Sequence, residues 1–133
     1  MTSYISSHIR QYKFSIVVGI IITIISLVND SKLPSHNIFG LVHMDKLIHV
    51  IMYMSLSYIL YLERNLKKYQ SNRIHKIPNC LFLVVLIVMG GVIEVLQPIV
   101  SNRSCELYDF LSNAVGAVFG YLLFRFTQGY LKL

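Results

Sequence analysis

Residues 90–120 read GGVIEVLQPIVSNRSCELYDFLSNAVGAVFG, a stretch that sets polar side chains into a run otherwise as apolar as a membrane span. Those polar side chains belong to Glu94, Gln97, Arg103, Asp109 and Asn113. A carboxylate or amide at bilayer depth is costly unless it is paired, hydrated or neutralised, so such residues are functional candidates. We therefore expect the function of the protein to depend on this stretch.

The rest of the chain has the same apolar character, with 55% hydrophobic and 14% charged residues among 133. Four apolar runs occupy approximately residues 14–28, 47–62, 80–95 and 107–124. A helical span needs roughly 20 apolar residues, so the polar ends of these runs should lie at the membrane interface. The sequence predicts an all-α membrane protein, a single domain over residues 1–133 with four transmembrane helices in a compact bundle. The expected helices run over about 12–30, 45–63, 78–97 and 105–126.

The basic residues orient the bundle, because short cytoplasmic loops are enriched in Lys and Arg. Nine of the twelve Lys and Arg residues lie at the two termini and between the second and third runs. Both termini are therefore predicted to be cytoplasmic. The net charge of +6 does not indicate a nucleic-acid partner, because the basic residues lie between and beyond the spans. Cys80 and Cys105 would lie on opposite sides of the bilayer, so we expect no bond between them.

The second predicted helix opens with Asp45, Lys46, His49 and Tyr53. Spacing of four places Asp45, His49 and Tyr53 on one face, where an acceptor, an imidazole and a phenol could form a hydrogen-bonded ladder. Each residue alone also has a structural interpretation. Asp45 could be an acid that complements a helix N-terminus, His49 a buried histidine whose hydrogen bonds are made, and Tyr53 a tyrosine at the membrane interface.

The third and fourth predicted helices each carry a polar pair. Glu94 and Gln97 share one face of the third helix, which Pro98 should end, and Asp109 and Asn113 share one face of the fourth. Like the polar residues of the second helix, these pairs fall in the outer third of their helices. We expect them to share one polar cavity open to the outer surface.

Other residues near these pairs have structural roles. Ser104 is a plausible cap for the fourth helix. Gly116 and Gly120 form a small-xxx-small step, which permits tight packing between helices.

At these residues the sequence resembles the VanZ-like family of small bacterial membrane proteins. That family's pattern is an Asp-Lys-x-x-His-x-x-x-Tyr stretch, a Glu-x-x-Gln, an Arg in the following joint, and an Asp-x-x-x-Asn-x-x-Gly opening the last helix. The matching residues are Asp45, Lys46, His49, Tyr53, Glu94, Gln97, Arg103, Asp109, Asn113 and Gly116. The match covers about residues 41–120. The resemblance implies a multi-pass protein of the bacterial cytoplasmic membrane with a role in the cell envelope. Some members are linked to teicoplanin resistance, and no established reaction is implied.

A first functional hypothesis is that the protein binds the head group of a membrane lipid or of a lipid-linked cell-wall precursor. Arg103 and Lys46 would meet phosphate or carboxylate. Asp45, Glu94 and Asp109 would orient cations and hydroxyl groups. No cofactor, resident metal or nucleic acid is expected, and a homo-oligomer is compatible with the sequence.

A second hypothesis is an intramembrane enzyme that acts on a lipid phosphate or glycan. His49 would be a general base oriented by Asp45, Glu94 an acid, and Arg103 a stabiliser of negative charge. The candidate catalytic residues of this hypothesis are His49, Glu94 and Asp109. A variant of this hypothesis holds a divalent ion between the same three residues, although their spacing is a weak metal signal.

Two further interpretations involve no bound lipid. A proton or ion pathway is disfavoured, because the inner halves of the predicted helices lack polar groups. The polar cluster could instead be structural and hold four short helices together by hydrogen bonds.

Overall fold

The computed structural model describes residues 11–27, 44–71, 78–101 and 105–130. These residues form four α-helices and contain no strand. The helices are α1 at Lys13–Leu27, α2 at Met44–Ser71, α3 at Asn79–Val100 and α4 at Leu107–Thr127. The prediction of a compact all-α protein is thereby confirmed.

Two of these helices, α3 with 22 residues and α4 with 21, are long and apolar enough to cross a membrane. The helix α1 is apolar but has only 15 residues in the described part of the chain. The helix α2 has 28 residues and runs from an apolar half into a basic one. Four membrane spans and the cytoplasmic position of both termini stay predictions.

Two helices extend further than the sequence suggested. The helix α2 continues past residue 63 to Ser71, because the residues after Glu63 include one Arg, one Leu and two Lys, which favour helix. The helix α3 continues through Pro98 to Val100. Pro98 gives up the backbone hydrogen bond to the carbonyl four residues earlier, but the final turn still closes, because the N–H of Ser101 donates to the carbonyl of Gln97 at 2.9 Å.

The start of α4 differs from the expected cap. Ser104 lies outside the described residues, and Glu106 occupies the N-cap position without a side-chain cap bond. Asp109 lies in the first turn, where an acid is favourable because the helix N-terminus carries partial positive charge.

The helices α2 and α4 form the most extensive contact, because two glycines of α4 lie against the α2 backbone. A Cβ added at Gly116 would collide with the carbonyl oxygen of Val50, and one at Gly120 with that of Met54. The buried hydroxyl of Ser57 donates a hydrogen bond to an α4 carbonyl at 2.7 Å. The small-xxx-small step is therefore the seam along which α2 and α4 pack.

At the other end of the bundle, Glu63 of α2 holds the N-terminus of α1. Its buried carboxylate accepts hydrogen bonds from the backbone N–H groups of Phe14 at 2.9 Å and Ser15 at 3.0 Å, and from the Ser15 hydroxyl. The first N–H groups of a helix have no partner within the helix, so a carboxylate there stabilises the helix end. Sequence reasoning did not find this role of Glu63.

The bundle has a small buried core and an apolar exterior. Ile22, Tyr53, Leu56, Leu86 and Ala117 form the core, with contributions from all four helices. Beside it, α1, α2 and α3 line an apolar groove of about 480 Å³.

Large apolar side chains are exposed on every helix, among them Ile24, Ile51, Val88 and Phe119. Soluble monomers rarely expose apolar surface of this extent. Together with the two helices that are able to cross a bilayer, this exterior indicates a membrane protein.

Candidate functional site at one end of the bundle

The residues predicted to carry function gather at one end of the bundle, because α2 and α4 begin there and α3 ends there. The described members are Asp45, Lys46, His49 and Tyr53 on α2, Glu94 and Gln97 on α3, and Asp109 and Asn113 on α4. Arg103 falls within residues 102–104, outside the described part of the chain.

A buried chain of hydrogen bonds crosses three helices at this end. Asn113 Nδ2 donates to Oε1 of Glu94 at 3.1 Å, and Nδ1 of His49 lies 2.9 Å from Oδ1 of Asn113. All three residues are at most 3% exposed. The chain links α3 to α4 and α4 to α2, so it fixes the relative rotation of the helices that form the site.

The chain also sets the proton arrangement of His49. The amide nitrogen of Asn113 faces the Glu94 carboxylate, which leaves its oxygen as the acceptor, so His49 donates from Nδ1. The opposite ring nitrogen, Nε2, points toward Asp45, whose Oδ1 is 3.9 Å away. When the imidazole of His49 is neutral, its Nε2 therefore carries a lone pair that faces Asp45.

Gly90 allows α3 to come close enough for this chain. A Cβ at Gly90 would lie 3.2 Å from Cβ of Asn113 and 3.4 Å from the Tyr53 ring. A larger residue would move α3 away from α4 and lengthen the bond between Glu94 and Asn113.

Lys46 joins a second group of polar residues beside this chain. Its Nζ lies 3.1 Å from Oε2 of Glu106 and 3.3 Å from Oδ1 of Asp109. Lys46 precedes the apolar part of α2, and its ammonium group donates a hydrogen bond to the carboxylate of Glu106. Asp109 is almost fully buried, so Lys46 supplies the positive charge that a buried carboxylate needs.

The hydrogen bond predicted between His49 and Tyr53 of α2 is absent among the described residues. His49 lies near Asp45, but its other nitrogen bonds across the bundle to Asn113 and not along the helix to Tyr53. Tyr53 is fully buried against Gly90, and its hydroxyl has no hydrogen-bond partner among the described residues. Close packing of α4 at Gly116 brings the side chain of Asn113 to 2.9 Å from the His49 ring.

Gln97 is directed away from this cluster, although it shares a helix with Glu94. Its Nε2 donates to the backbone carbonyl of Ser26 on α1 at 3.2 Å. Both residues are buried, so the contact ties the end of α1 to α3. Spacing along α3 therefore did not place Gln97 in the same cavity as Glu94.

The site has an accessible rim and a buried floor. The side chains of Asp45 and Glu106 are 47% and 46% exposed, and that of Lys46 is 27% exposed. His49, Glu94, Asp109 and Asn113 lie beneath them and are buried. A molecule approaching from this end would therefore meet charged groups first and the hydrogen-bonded chain afterwards.

Three residues of the site are arranged as a potential metal-binding group. Asp45, His49 and Asp109 each offer one ligand atom, and these atoms lie within 4.8 Å of one another. The sequence suggested Glu94 with His49 and Asp109 for such a set. In the structure, Glu94 supports His49 through Asn113, and Asp45 is the carboxylate beside Nε2.

Glu106 belongs to the site but was not among the predicted residues. It immediately precedes α4 and lies three positions before Asp109. An acid near a helix N-terminus is ordinarily explained by the helix dipole, so the sequence carried no sign that Glu106 pairs with Lys46.

A family model described as VanZ/LLP1 matches residues 3–128, which is nearly the whole chain. No curated protein matches the chain. No solved structure matches it either.

Proposed function

Because the chain belongs to the VanZ-like family, we propose that it is a multi-pass protein of the bacterial cell envelope that binds a lipid head group. The ligand is the head group of an envelope lipid or of a lipid-linked cell-wall precursor. The site is the polar end of the bundle, open to the outer surface of the membrane. By binding such a precursor the protein contributes to glycopeptide resistance of the teicoplanin kind.

The arrangement of the rim and the floor is the observation that carries this proposal. Asp45, Lys46 and Glu106 are accessible, whereas His49 and Asn113 below them are buried. A cluster that only held helices together would need pairing in the interior and no charged entrance. An accessible charged entrance above a rigid polar floor suits a ligand with a charged head and a tail that stays in the bilayer.

Charges along the chain support the orientation of this site. Most Lys and Arg residues lie in the segments that would face the cytoplasm if both termini are inside. The polar end would then face outward, where lipid-linked wall precursors are used. Exposed apolar side chains on all four helices would contact acyl chains.

The roles of the rim residues follow from their charge. Lys46 would pair with a phosphate oxygen, in exchange for one of its two present carboxylate partners, Glu106 and Asp109. Arg103 would offer a bidentate contact to the same group. Asp45 would accept hydrogen bonds from hydroxyl or amino groups of the head.

The proposal is tested by native mass spectrometry of the full-length protein in detergent, titrated with phosphatidylglycerol and with a polyprenyl phosphate. Lys46→Gln should weaken binding of the preferred lipid about tenfold, the value of one charge-assisted hydrogen bond. Lys13→Gln is the matched control, since Lys13 is an exposed lysine at the opposite end of the bundle. Equal loss in both variants, or no lipid bound by the wild-type protein, would refute the proposal.

One observation favours a second candidate function, an intramembrane enzyme. His49 presents Nε2 to the acidic side of a buried site, where it could act as a general base on a lipid phosphate or glycan. This function predicts turnover of a lipid substrate that is lost in His49→Gln. Lipid binding without turnover in the same assay would refute the enzyme function and keep the binding function.

A further inference from the structure

We propose that Asp45, His49 and Asp109 bind one divalent transition-metal ion, of the Zn²⁺ or Mn²⁺ kind, between the first turns of α2 and α4. The binding of the ion does not depend on the proposed function. Its role, to hold a lipid phosphate at the rim, rests on that function.

The geometry of the three residues permits coordination after small movements. Their ligand atoms lie within 4.8 Å of one another, whereas two ligands of one such ion are up to about 4 Å apart. His49 and Asp109 are held rigidly because they are buried. Asp45 is about half exposed at the start of its helix, so its carboxylate can rotate toward the other two.

The surroundings of His49 are an independent observation that points to an ion. A histidine that binds a metal usually donates its other ring N–H to an oxygen, which orients the ring. Here Nδ1 of His49 donates to Asn113, and Asn113 in turn donates to Glu94. The other ring nitrogen, Nε2, faces the carboxylate of Asp45 at 3.9 Å, and His49 is only 3% exposed.

The mixture of ligands indicates the class of ion. Two carboxylates and one imidazole offer oxygen and nitrogen donors without sulfur. Imidazole suits Zn²⁺ and other first-row ions, while an all-oxygen set would favour Mg²⁺ or Ca²⁺. Three protein ligands leave coordination positions open, which a phosphate oxygen can fill.

Lys46 competes with the ion for Asp109. Its ammonium group lies 3.3 Å from Oδ1 of Asp109 and 3.1 Å from Glu106. When an ion binds, the lysine can keep Glu106 and give up part of its attraction to Asp109. Loss of the lysine charge should therefore strengthen metal binding, whereas it should weaken binding of lipid phosphate in the absence of metal.

The test uses the full-length protein in detergent, treated with a chelator and then titrated with ZnCl₂ and with MnCl₂ in a calorimeter, without added lipid. The wild-type protein should bind one equivalent of at least one ion. Asp45→Asn and Asp109→Asn should each weaken binding at least about tenfold, and Asn113→Ala should weaken it about 10- to 100-fold through the orientation of His49. Lys46→Gln should bind more tightly than the wild type.

Glu106→Gln is the matched control, because it removes a carboxylate from the same rim but not from the three ligands. The comparison is made in the Lys46→Gln background, where no lysine is released onto Asp109. If Glu106→Gln there weakens binding as much as Asp109→Asn, the ion is attracted only by general negative charge and the site does not exist. Absence of stoichiometric binding by the wild-type protein also overturns it, whatever the variants do. Asp45 is on the surface, so Asp45→Asn remains informative if the variants of buried residues do not fold.

The outcomes separate this inference from the proposed function. Metal binding without any lipid binding would refute the head-group function and keep the metal site. Lipid binding by protein that takes up no metal would refute the metal site and keep the head-group function.

Discussion

The imidazole of His49 donates a hydrogen bond to the side chain of Asn113 across 2.9 Å, although the two residues are 64 positions apart. Asn113 donates in turn to Glu94, so one amide joins α2, α3 and α4. One member of each polar pair found in the sequence, Glu94 and Asn113, therefore joins His49 in a single buried chain. The central member of this chain is Asn113.

Replacing Asn113 by Ala should destabilise the protein more than any substitution of an exposed polar residue nearby. The change leaves His49 and Glu94 without their shared partner in a buried place, which costs about 1–3 kcal/mol. Thermal unfolding in detergent measures the effect. Ser112→Ala is the control on the same helix, because the Ser112 hydroxyl donates to the carbonyl of Tyr108 in its own helix. This substitution should change the free energy of unfolding by less than about 0.5 kcal/mol. Equal stability of the two variants would show that the chain of hydrogen bonds does not stabilise the folded protein.

The seam between α2 and α4 should not accept a larger side chain at Gly116. A methyl group there meets the backbone of Val50, which cannot move without shifting the helix, so Gly116→Ala should destabilise by about 1–3 kcal/mol. The measured quantities are the monodisperse yield and the unfolding temperature in detergent. Gly19→Ala is the matched control, since its Cβ would lie 4.0 Å from the nearest described atom, Cδ1 of Leu56. A normal yield and unfolding temperature for Gly116→Ala would contradict the close approach of the two backbones.

Much of this site could be predicted from the sequence, because helix periodicity fixes which residues share a face. Asp109 and Asn113 do lie together, and so do Asp45 and His49. Periodicity does not fix which neighbour a face meets. Gln97 lies three residues from Glu94 and yet bonds to α1.

The missing information concerns the rotation of each helix and the distance between axes. Gly90 and Gly116 determine both, since they let α3 and α4 approach their neighbours closely. The pairing of Lys46 with Glu106 depends on the same geometry, and so does the capping of α1 by Glu63. A single sequence records the residues of such contacts but not their partners.

The two native cysteines provide a direct test of the predicted orientation. Cys80 and Cys105 are both free and exposed, and they lie near the starts of the antiparallel helices α3 and α4. With both termini cytoplasmic, a membrane-impermeant maleimide applied to intact cells should label Cys105 and not Cys80. The single-cysteine variants Cys80→Ser and Cys105→Ser distinguish the two, and permeabilised cells show that each is reactive. Labelling of Cys80 alone from outside would mean that the bundle is inverted.

The final prediction concerns Glu94→Gln and Arg103→Ala, which should impair function far more than folding. Gln at position 94 keeps an oxygen that can accept the hydrogen bond from Asn113, so the structural cost should be within about 1 kcal/mol. Arg103 stands between α3 and α4 in the sequence, where it is predicted to meet phosphate. The measurement is the teicoplanin susceptibility of cells that express each variant, beside the detergent-extracted yield.

Gly116→Leu is the control for a packing defect and should lower the yield itself. If Glu94→Gln and Arg103→Ala accumulate normally and yet lose resistance, the polar end acts on a ligand and does not merely join helices. Removal of the ionisable group of a general acid or base usually lowers the reaction rate about 100-fold or more, which is well beyond the effect of a small structural change. If both variants keep wild-type resistance at equal expression, the cluster is structural, and Glu94 serves only to hold Asn113 and, through it, His49.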